Sequence, residues 1–327
     1  MNSITKPGPA ETNGSGSGDD HRPEMLADAL AGLKAPRKTL PCKWLYDVEG
    51  AALFGEITRL PEYYPTRTEI GILRGHAAEI AAHVPAHAAV VEFGSGDGEK
   101  VDVLLDALEA PSAYVPVDIA PEWVAEAASK VAVSHPDLEV LPIAADFTRE
   151  FGLPDQVEAA PRLGFFPGST IGNFTPEEAV RFLARARGTL GEDAMFVMGA
   201  DLVKPRETLV AAYDDAAGVT ARFNLNLLRR LNRECGADFD LDGFEHVAEW
   251  NPELKRMEMH LRARRPQSVA LGGERIDFAE GETIHTENSH KYTEEDLHRL
   301  AGRAGWQVQG IWTDPARLFS VSLLGQG

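Results

Sequence analysis

Val90-Val91-Glu92-Phe93-Gly94-Ser95-Gly96-Asp97-Gly98-Glu99-Lys100 joins an apolar run ending in an acid to three alternating glycines and then to a helix. Val101, Leu104, Leu105 and Leu108 signal the helix by recurring at i, i+3, i+4 and i+7. The stretch reads as a buried strand, a tight turn and a helix, with glycines that let a ligand approach the backbone closely. Its spacing is G-x-G-x-G, whereas dinucleotide sites use G-x-G-x-x-G and P-loops use G-x-x-x-x-G-K-[ST]. An acid directly before the first glycine suits a cationic or hydroxyl-rich ligand better than a pyrophosphate. S-adenosylmethionine, with its sulfonium and amino-acid tail, has that chemistry. Glycine-rich turns also serve plain chain reversal, so the spacing alone leaves both readings open.

Outward from this turn, strands and helices alternate. Ile70, Leu73, Ala77, Ile80, Ala81 and Val84 mark an amphipathic helix that ends before Pro85, and residues 25–33 read as a short helix. Strands are predicted at about 88–93 and at 113–117, 138–143, 163–166 and 194–198. Pro121 sits in the first turn of one helix, and Thr175-Pro176-Glu177-Glu178 forms a capping box that opens another. Such alternation predicts a parallel, doubly wound sheet with ligands at the carboxyl ends of its strands. After Asp201 the pattern breaks. Residues 204–250 read as helices, through Leu209, Val210, Tyr213, Leu225, Leu228 and Leu231. Met257, Met259, Leu261 and Ala263 then alternate with polar residues as a half-buried strand, and residues 267–278 read as a hairpin around Gly272-Gly273. A helix capped by Thr293 and two strands, 306–312 and 318–324, end the chain. A terminal antiparallel pair added to a parallel sheet is a feature of the class I methyltransferase fold. The expected division is a disordered tail over 1–22, rich in Gly, Ser, Pro and Asp. A Rossmann-like methyltransferase domain then takes 23–201 and 290–327, and an inserted α+β substrate-binding domain takes 202–289.

Composition narrows the function classes. The net charge of −19 argues against a general grip on nucleic acid, which needs clustered Lys and Arg. The two cysteines, Cys42 and Cys235, are too few for a disulfide framework or a zinc cluster and fit a reducing cytoplasm. No apolar run reaches membrane-spanning length, and the N-terminus lacks a hydrophobic signal segment. We expect a cytoplasmic monomer acting on a small molecule.

Several polar residues fall where such a sheet binds ligands. Asp118 ends the second strand, about 20 residues past the last glycine, where an acid accepts from ribose hydroxyls; it also fits a helix cap. Asp146-Phe147 could meet an adenine amino group and ring face, or be a turn acid beside a core aromatic. Pro167-Gly168-Ser169-Thr170-Ile171-Gly172-Asn173-Phe174 follows the fourth strand, where this fold faces the transferred methyl group. Asn173 both donates and accepts, so it could bridge a substrate amine and carboxylate; an ordinary polar loop is the other reading. Glu287 and Ser289 by themselves read as a solvated strand pair. His285 and His290 lack metal-ligand partners at diagnostic spacing and are read as structural, with no metal expected.

Five motifs in order resemble the histidine Nα-methyltransferases of ergothioneine biosynthesis: Leu60-Pro61-Glu62-Tyr63-Tyr64-Pro65-Thr66-Arg67, the Glu92–Gly98 turn, Phe166–Phe174, Phe223-Asn224-Leu225-Asn226 and Ile284-His285-Thr286-Glu287-Asn288-Ser289. The resemblance covers nearly the whole chain beyond the tail. It implies S-adenosylmethionine as cofactor, L-histidine as substrate, and three successive transfers to the α-amine that give hercynine (trimethylhistidine). It further implies that Gly94, Lys100, Asp118 and Asp146 hold the cofactor, joined by Gly96, Phe147, Gly168 and Ser169 from the adjoining loops. Tyr46 would sit near both the methyl donor and the amine. Asn173 and Tyr213 would bind the substrate carboxylate; Tyr63, Glu287 and Ser289 would select the imidazole; Met259 would line the ring pocket. Tyr46 and Asn173 are thus the catalytic candidates. Three other readings are an N-methyltransferase for a tryptophan derivative, a silent cofactor-binding module and a nicotinamide-dependent oxidoreductase. The Glu287–Ser289 pair, the intact 168–173 loop and the glycine spacing count against them in turn.

Overall fold

The computed structural model describes residues 21–96 and 98–326. The expected tail therefore lies outside the described residues except for positions 21 and 22, and Asp97 of the glycine turn lies outside them too. In chain order the first elements are α1 (Arg22–Leu33), β1 (Lys38–Thr39), α2 (Val48–Ile57), α3 (Pro65–Ala81), β2 (Ala89–Phe93), α4 (Glu99–Leu105), β3 (Ala113–Asp118), α5 (Pro121–Ser134), β4 (Glu139–Val140), β5 (Ile143–Ala144), β6 (Arg162–Phe166), α6 (Pro176–Leu190) and β7 (Met195–Asp201). There follow α7 (Arg206–Tyr213), α8 (Val219–Cys235), β8 (Phe244–Asn251), β9 (Arg256–Ala263), β10 (Gln267–Leu271), β11 (Glu274–Phe278), β12 (Thr283–His290), α9 (Glu294–Arg303), β13 (Gln307–Thr313) and β14 (Phe319–Gly325).

The larger sheet has eight strands in the order β13-β14-β7-β6-β2-β3-β4, with β5 also on β3. β14 runs antiparallel to both of its neighbours, while the pairs from β7 across to β4 are parallel. This is the class I methyltransferase arrangement. Side chains of β2 alternate between two cores. Val91 and Phe93 pack with Phe182, Leu183 and Trp306 on one face. Val90 packs with Leu73, Ile80 and Leu104 on the other. Helices cover both faces, which is why these strands are apolar throughout. Strand order reverses at β2, which lies between β3 and β6, so the crevice beyond Phe93 is the switch point where such sheets bind ligands. The expected capping box forms at Thr175, and the expected cap at Thr293 is a second capping box, closed by Asp296.

Two expected elements differ. The single strand at 138–143 is two short strands, β4 and β5, because Pro142 between them has no N–H to donate to a ladder. The tail of the block read as helical, 244–251, is instead strand β8, paired residue for residue with β9. Its local pattern is weak; the long partner strand decides its form.

The smaller sheet has the order β1-β12-β9-β8, with the β10–β11 hairpin beside it. Its core joins Met25, Leu33, Trp44, Leu45 and Leu53 to Phe223, Leu227, Phe244, Leu261 and Ile276. The elements α1, β1 and α2 thus pack with the later block rather than with the larger sheet. We therefore propose that the smaller unit comprises residues 22–64 together with 202–289. The chain leaves and re-enters the larger sheet side by side: Tyr292 N donates to Asp201 O at 2.9 Å and Val203 N to Tyr292 O at 3.0 Å.

Gly199 on β7 is required by a close approach. A Cβ there would stand 1.9 Å from Oε1 of Glu69, on α3. Gly199→Ala is expected to destabilise the fold by about 1–3 kcal/mol, an overpacking cost, and to lower the midpoint of chemical denaturation. An unchanged midpoint would show that Glu69 can move aside freely.

Candidate active site

The glycine turn is tied to the end of β3, since Gly94 N donates to Val117 O at 2.8 Å. Gly94 (φ +79°) and Gly98 (φ +93°) are left-handed, a conformation that needs glycine. A Cβ on Gly94 would lie 3.4 Å from the Phe147 ring, so the turn passes directly over that aromatic. Phe147 also packs with Phe166 and Phe182, at ring separations of 5.8 and 5.9 Å. Phe147 is thus a core aromatic whose edge reaches the glycine turn. Gly96 is at the exposed rim.

Asp118 accepts from the backbone N–H of Ala120 at 3.0 Å and from those of Ser95 and Ile119. Burial nevertheless raises its pKa. Asp146 is more committed: Oδ1 takes the Thr148 N–H at 2.9 Å and its hydroxyl at 2.5 Å, and Oδ2 pairs with Arg149 at 3.2 Å. The hydroxyl of Ser95 is buried with no partner among the described residues. A carboxylate for ribose hydroxyls, an apolar ring for a base, an orphaned hydroxyl and a backbone bare of Cβ fit an adenosyl ligand.

Sequence reasoning missed Glu69. This fully buried residue of α3 accepts the Gly168 N–H at 3.0 and 2.9 Å and pairs with Lys100 Nζ at 2.6 Å. It joins α3, α4 and the loop after β6. A signal existed: Glu69 stands four residues before Leu73, on the apolar stripe of its helix, where a charge needs a partner. Lys100 remains at the cleft, 3.6 Å from where a Gly168 Cβ would stand. Ser169 was expected to face the cofactor. Its Oγ instead accepts from Asp201 N at 2.9 Å, so the hydroxyl braces its loop against β7.

Asp201 anchors the junction of the two sheets. Its carboxylate meets Lys204 at 2.5 Å, Lys291 at 2.7 Å and the Tyr64 hydroxyl at 2.7 Å. Burial opposes its charge, but Lys291 and Lys204 outweigh that and hold its pKa below the usual range. Lys291, with no exposed side-chain surface, also donates to the Tyr213 hydroxyl at 2.7 Å and to Ser289 Oγ at 2.8 Å. Those two hydroxyls lie 2.8 Å apart. Of the neighbouring tyrosines, Tyr64 is therefore structural. Tyr63 packs edge-on against Tyr213 and Phe54, with ring separations of 6.2 and 6.1 Å.

Glu287 lies on β12 opposite Met259 of β9, just past a bulge at 285–287. Burial pushes its carboxyl up to about 7, with Lys291 pulling it back only in part. Its charge reaches Tyr46, Tyr63 and Tyr213, whose phenols burial keeps protonated. Tyr46 itself is wedged between Phe54 and Phe223 at 5.7 and 5.5 Å. Asn226 steadies the adjoining residue by donating to Asp47 Oδ1 at 2.7 Å. Asn173 ends the short helical turn Thr170–Asn173, and Gly172 in that turn abuts the end of β12, accepting from His290 Nδ1 at 3.0 Å. The fold thus brings Tyr46, Tyr63, Tyr213, Met259, Glu287 and Ser289 into one neighbourhood, with the turn that ends at Asn173 packed on the end of β12.

Residues 25–326 match the histidine-specific, S-adenosylmethionine-dependent methyltransferase family. The chain is 45% identical over 304 residues to a histidine N-alpha-methyltransferase of Mycolicibacterium smegmatis, covering 91% of this chain and 94% of that protein. It is 42% identical over 304 residues to a histidine N-alpha-methyltransferase of Mycobacterium tuberculosis, with the same coverage. Against ergothioneine biosynthesis protein 1 of Neurospora crassa the identity is 32%, over 85% of this chain and 32% of that protein.

Replacing Lys291 by Met would leave Asp201 with one cation and two hydroxyls short of a donor. Loss of one partner from a buried pair costs about 3 kcal/mol or more, and we expect that loss in urea denaturation of Lys291→Met. A loss below about 1 kcal/mol, the range of surface pairs, would contradict the buried network.

Proposed function

The chain belongs to the histidine-specific, S-adenosylmethionine-dependent methyltransferases, and from that premise we propose that it carries three methyl groups in succession onto the α-amine of L-histidine, giving hercynine. The observation that carries the substrate reading is the placement of Glu287 and Ser289 on one face of β12, across from Met259 and beside Tyr213. An imidazole has one N–H to donate and one nitrogen that accepts. Glu287 can take the first and a hydroxyl can serve the second, while Met259 and Tyr63 flank the ring. An indole has no accepting nitrogen and gains nothing from the hydroxyl. Tyr213 and Asn173 then receive the carboxylate, and the buried Lys291 charge behind Tyr213 favours an anion there.

In this reading Gly94, Gly96, Lys100, Asp118, Asp146, Phe147 and Gly168 hold the cofactor, which supplies an electrophilic sulfonium methyl. The protein's part is to align the amine and exclude water. The amine must shed its proton before it attacks, since an α-amine with pKa near ~8 or above is mostly protonated at pH 7. Tyr46 is kept a neutral phenol by burial, so its oxygen receives the amine hydrogen bond rather than acting as a standing phenolate base. We also propose a monomer, because all of the named groups come from one chain. A reducing, cytoplasmic setting fits its two free thiols. Among the described residues no helix is long and apolar enough to cross a membrane.

Mass spectrometry of histidine incubated with the protein and S-adenosylmethionine tests the reading. Gains of one, two and three methyl groups on the amine are expected; methylation of the ring, or none, would overturn it. Glu287→Ala should weaken histidine binding by roughly 1.5–3 kcal/mol, about 10- to 150-fold, with cofactor affinity unchanged in calorimetry. The wild-type carboxyl is neutral below about 7 and an open acceptor above it, so histidine affinity should rise as pH passes through that value. Glu287→Gln should flatten this rise; an identical pH profile in the variant would remove Glu287 from imidazole recognition.

A further inference from the structure

The face of the smaller sheet turned away from α7 carries a second cluster. On β9, Met257 and Met259 point toward Leu209, Val210 and Tyr213 of α7. Residues alternate along a strand, so Glu258 and His260 share the opposite face. His285 stands directly across from His260 on β12. One potential ligand atom from each of Glu258, His260 and His285 lies within 4.8 Å of the other two. The two imidazoles stack at 4.9 Å and 28°, and His260 Nε2 lies 3.3 Å from Glu258 Oε2. The Glu258 and His260 side chains are 16% and 14% exposed, dry enough to hold an ion yet open to its entry.

The hydrogen bonds leave acceptor atoms of the cluster without a donor. His285 Nε2 lies 3.1 Å from the Glu287 carbonyl, which can only accept, so Nε2 carries the proton and Nδ1 carries the lone pair. His260 Nδ1 is buried with no partner among the described residues, and so is Oδ1 of Asn288, the residue opposite Glu258. A buried acceptor without a donor is costly, and a bound ion is one of the standard explanations. Glu258 Oε1 receives Arg256 Nε at 2.7 Å and Asn251 Nδ2 at 3.0 Å, leaving Oε2 on the histidine side. An oriented carboxylate and an imidazole pinned by a carbonyl are the outer hydrogen bonds that metal ligands ordinarily have.

We propose that Glu258, His260 and His285 form a binding site for one divalent transition-metal ion of the zinc type, behind the strand segment that carries Glu287 and Ser289. Two imidazole nitrogens and one carboxylate are a zinc donor set, with a fourth position left for water or for Asn288. They do not suit calcium or magnesium, which need more oxygens. The Arg256 charge opposes a cation, so the site binds less tightly than a structural zinc site. Because β12 presents His285 to one face and Glu287 to the other, an ion held here stiffens the bulge at 285–287.

The test uses tag-free full-length protein, stripped with a chelator and free of histidine, which would itself bind metal. Zinc is titrated by calorimetry and cobalt(II) by its visible absorption. One equivalent per chain is expected, with cobalt bands of four- or five-coordinate intensity. His285→Ala should weaken binding by more than about tenfold, the least effect expected for a group at a metal site. Glu258→Gln keeps the Asn251 contact and serves if His285→Ala fails to fold by circular dichroism; it too should weaken binding by more than about tenfold. His83→Ala, a surface control, should change nothing. Absence of saturable binding overturns the site, as does one equivalent that survives in both variants or is lost in the control.

Discussion

A buried ion pair, Asp201 with Lys291, underlies the arrangement of this molecule. Asp201 ends β7 of the larger sheet and Lys291 follows β12 of the smaller one, and the side chains of both are fully buried. Their contact lies where the chain crosses between the two sheets, beside the backbone bonds that link Asp201, Val203 and Tyr292. Desolvating two charges costs as much as their attraction returns, so such a pair is better understood as a device of specificity than of stability. Here it fixes one relative placement of the sheets. Any other placement would strand a charge in the interior.

The same pair reaches the hydroxyls of Tyr213 and Ser289. An ammonium has three hydrogens to donate, and those of Lys291 go to Asp201, Tyr213 and Ser289. The hydroxyls of Tyr213 and Ser289 are therefore oriented by the framework rather than by each other alone. Glu69 plays the corresponding part at the loop after β6, where it takes the Gly168 N–H and the Lys100 ammonium. Glu69 and Asp201 are saturated with donors. Glu287 is not, and burial pushes its carboxyl up to about 7. A half-buried acid whose charge its surroundings oppose is a candidate functional group.

Much of this was legible in the chain before any fold was known. The apolar run, the glycine turn and the amphipathic helix at 90–108 report local backbone geometry, and the Thr175 and Thr293 caps report local hydrogen bonds. Strand and helix periodicity then dictates a layered sheet, because each apolar face must be covered. The tyrosine register was not legible: Tyr63 and Tyr64 are chemically alike, and only the distance from Tyr64 to Asp201 separates their roles.

By itself the sequence determined the alternation of elements, the glycine turn, the helix caps and the motif set that marks the family. Tertiary structure decided the rest. It made 244–251 a strand by giving it β9 as a partner, and it moved the first helices into the core of the smaller unit. It set Glu69 against a glycine 130 residues later, and His260 against His285 across two strands. The physical reason is common to all of these. Periodicity and caps are written within a few residues, whereas ion pairs, strand partners and ligand sets depend on register between distant segments, which no local pattern encodes.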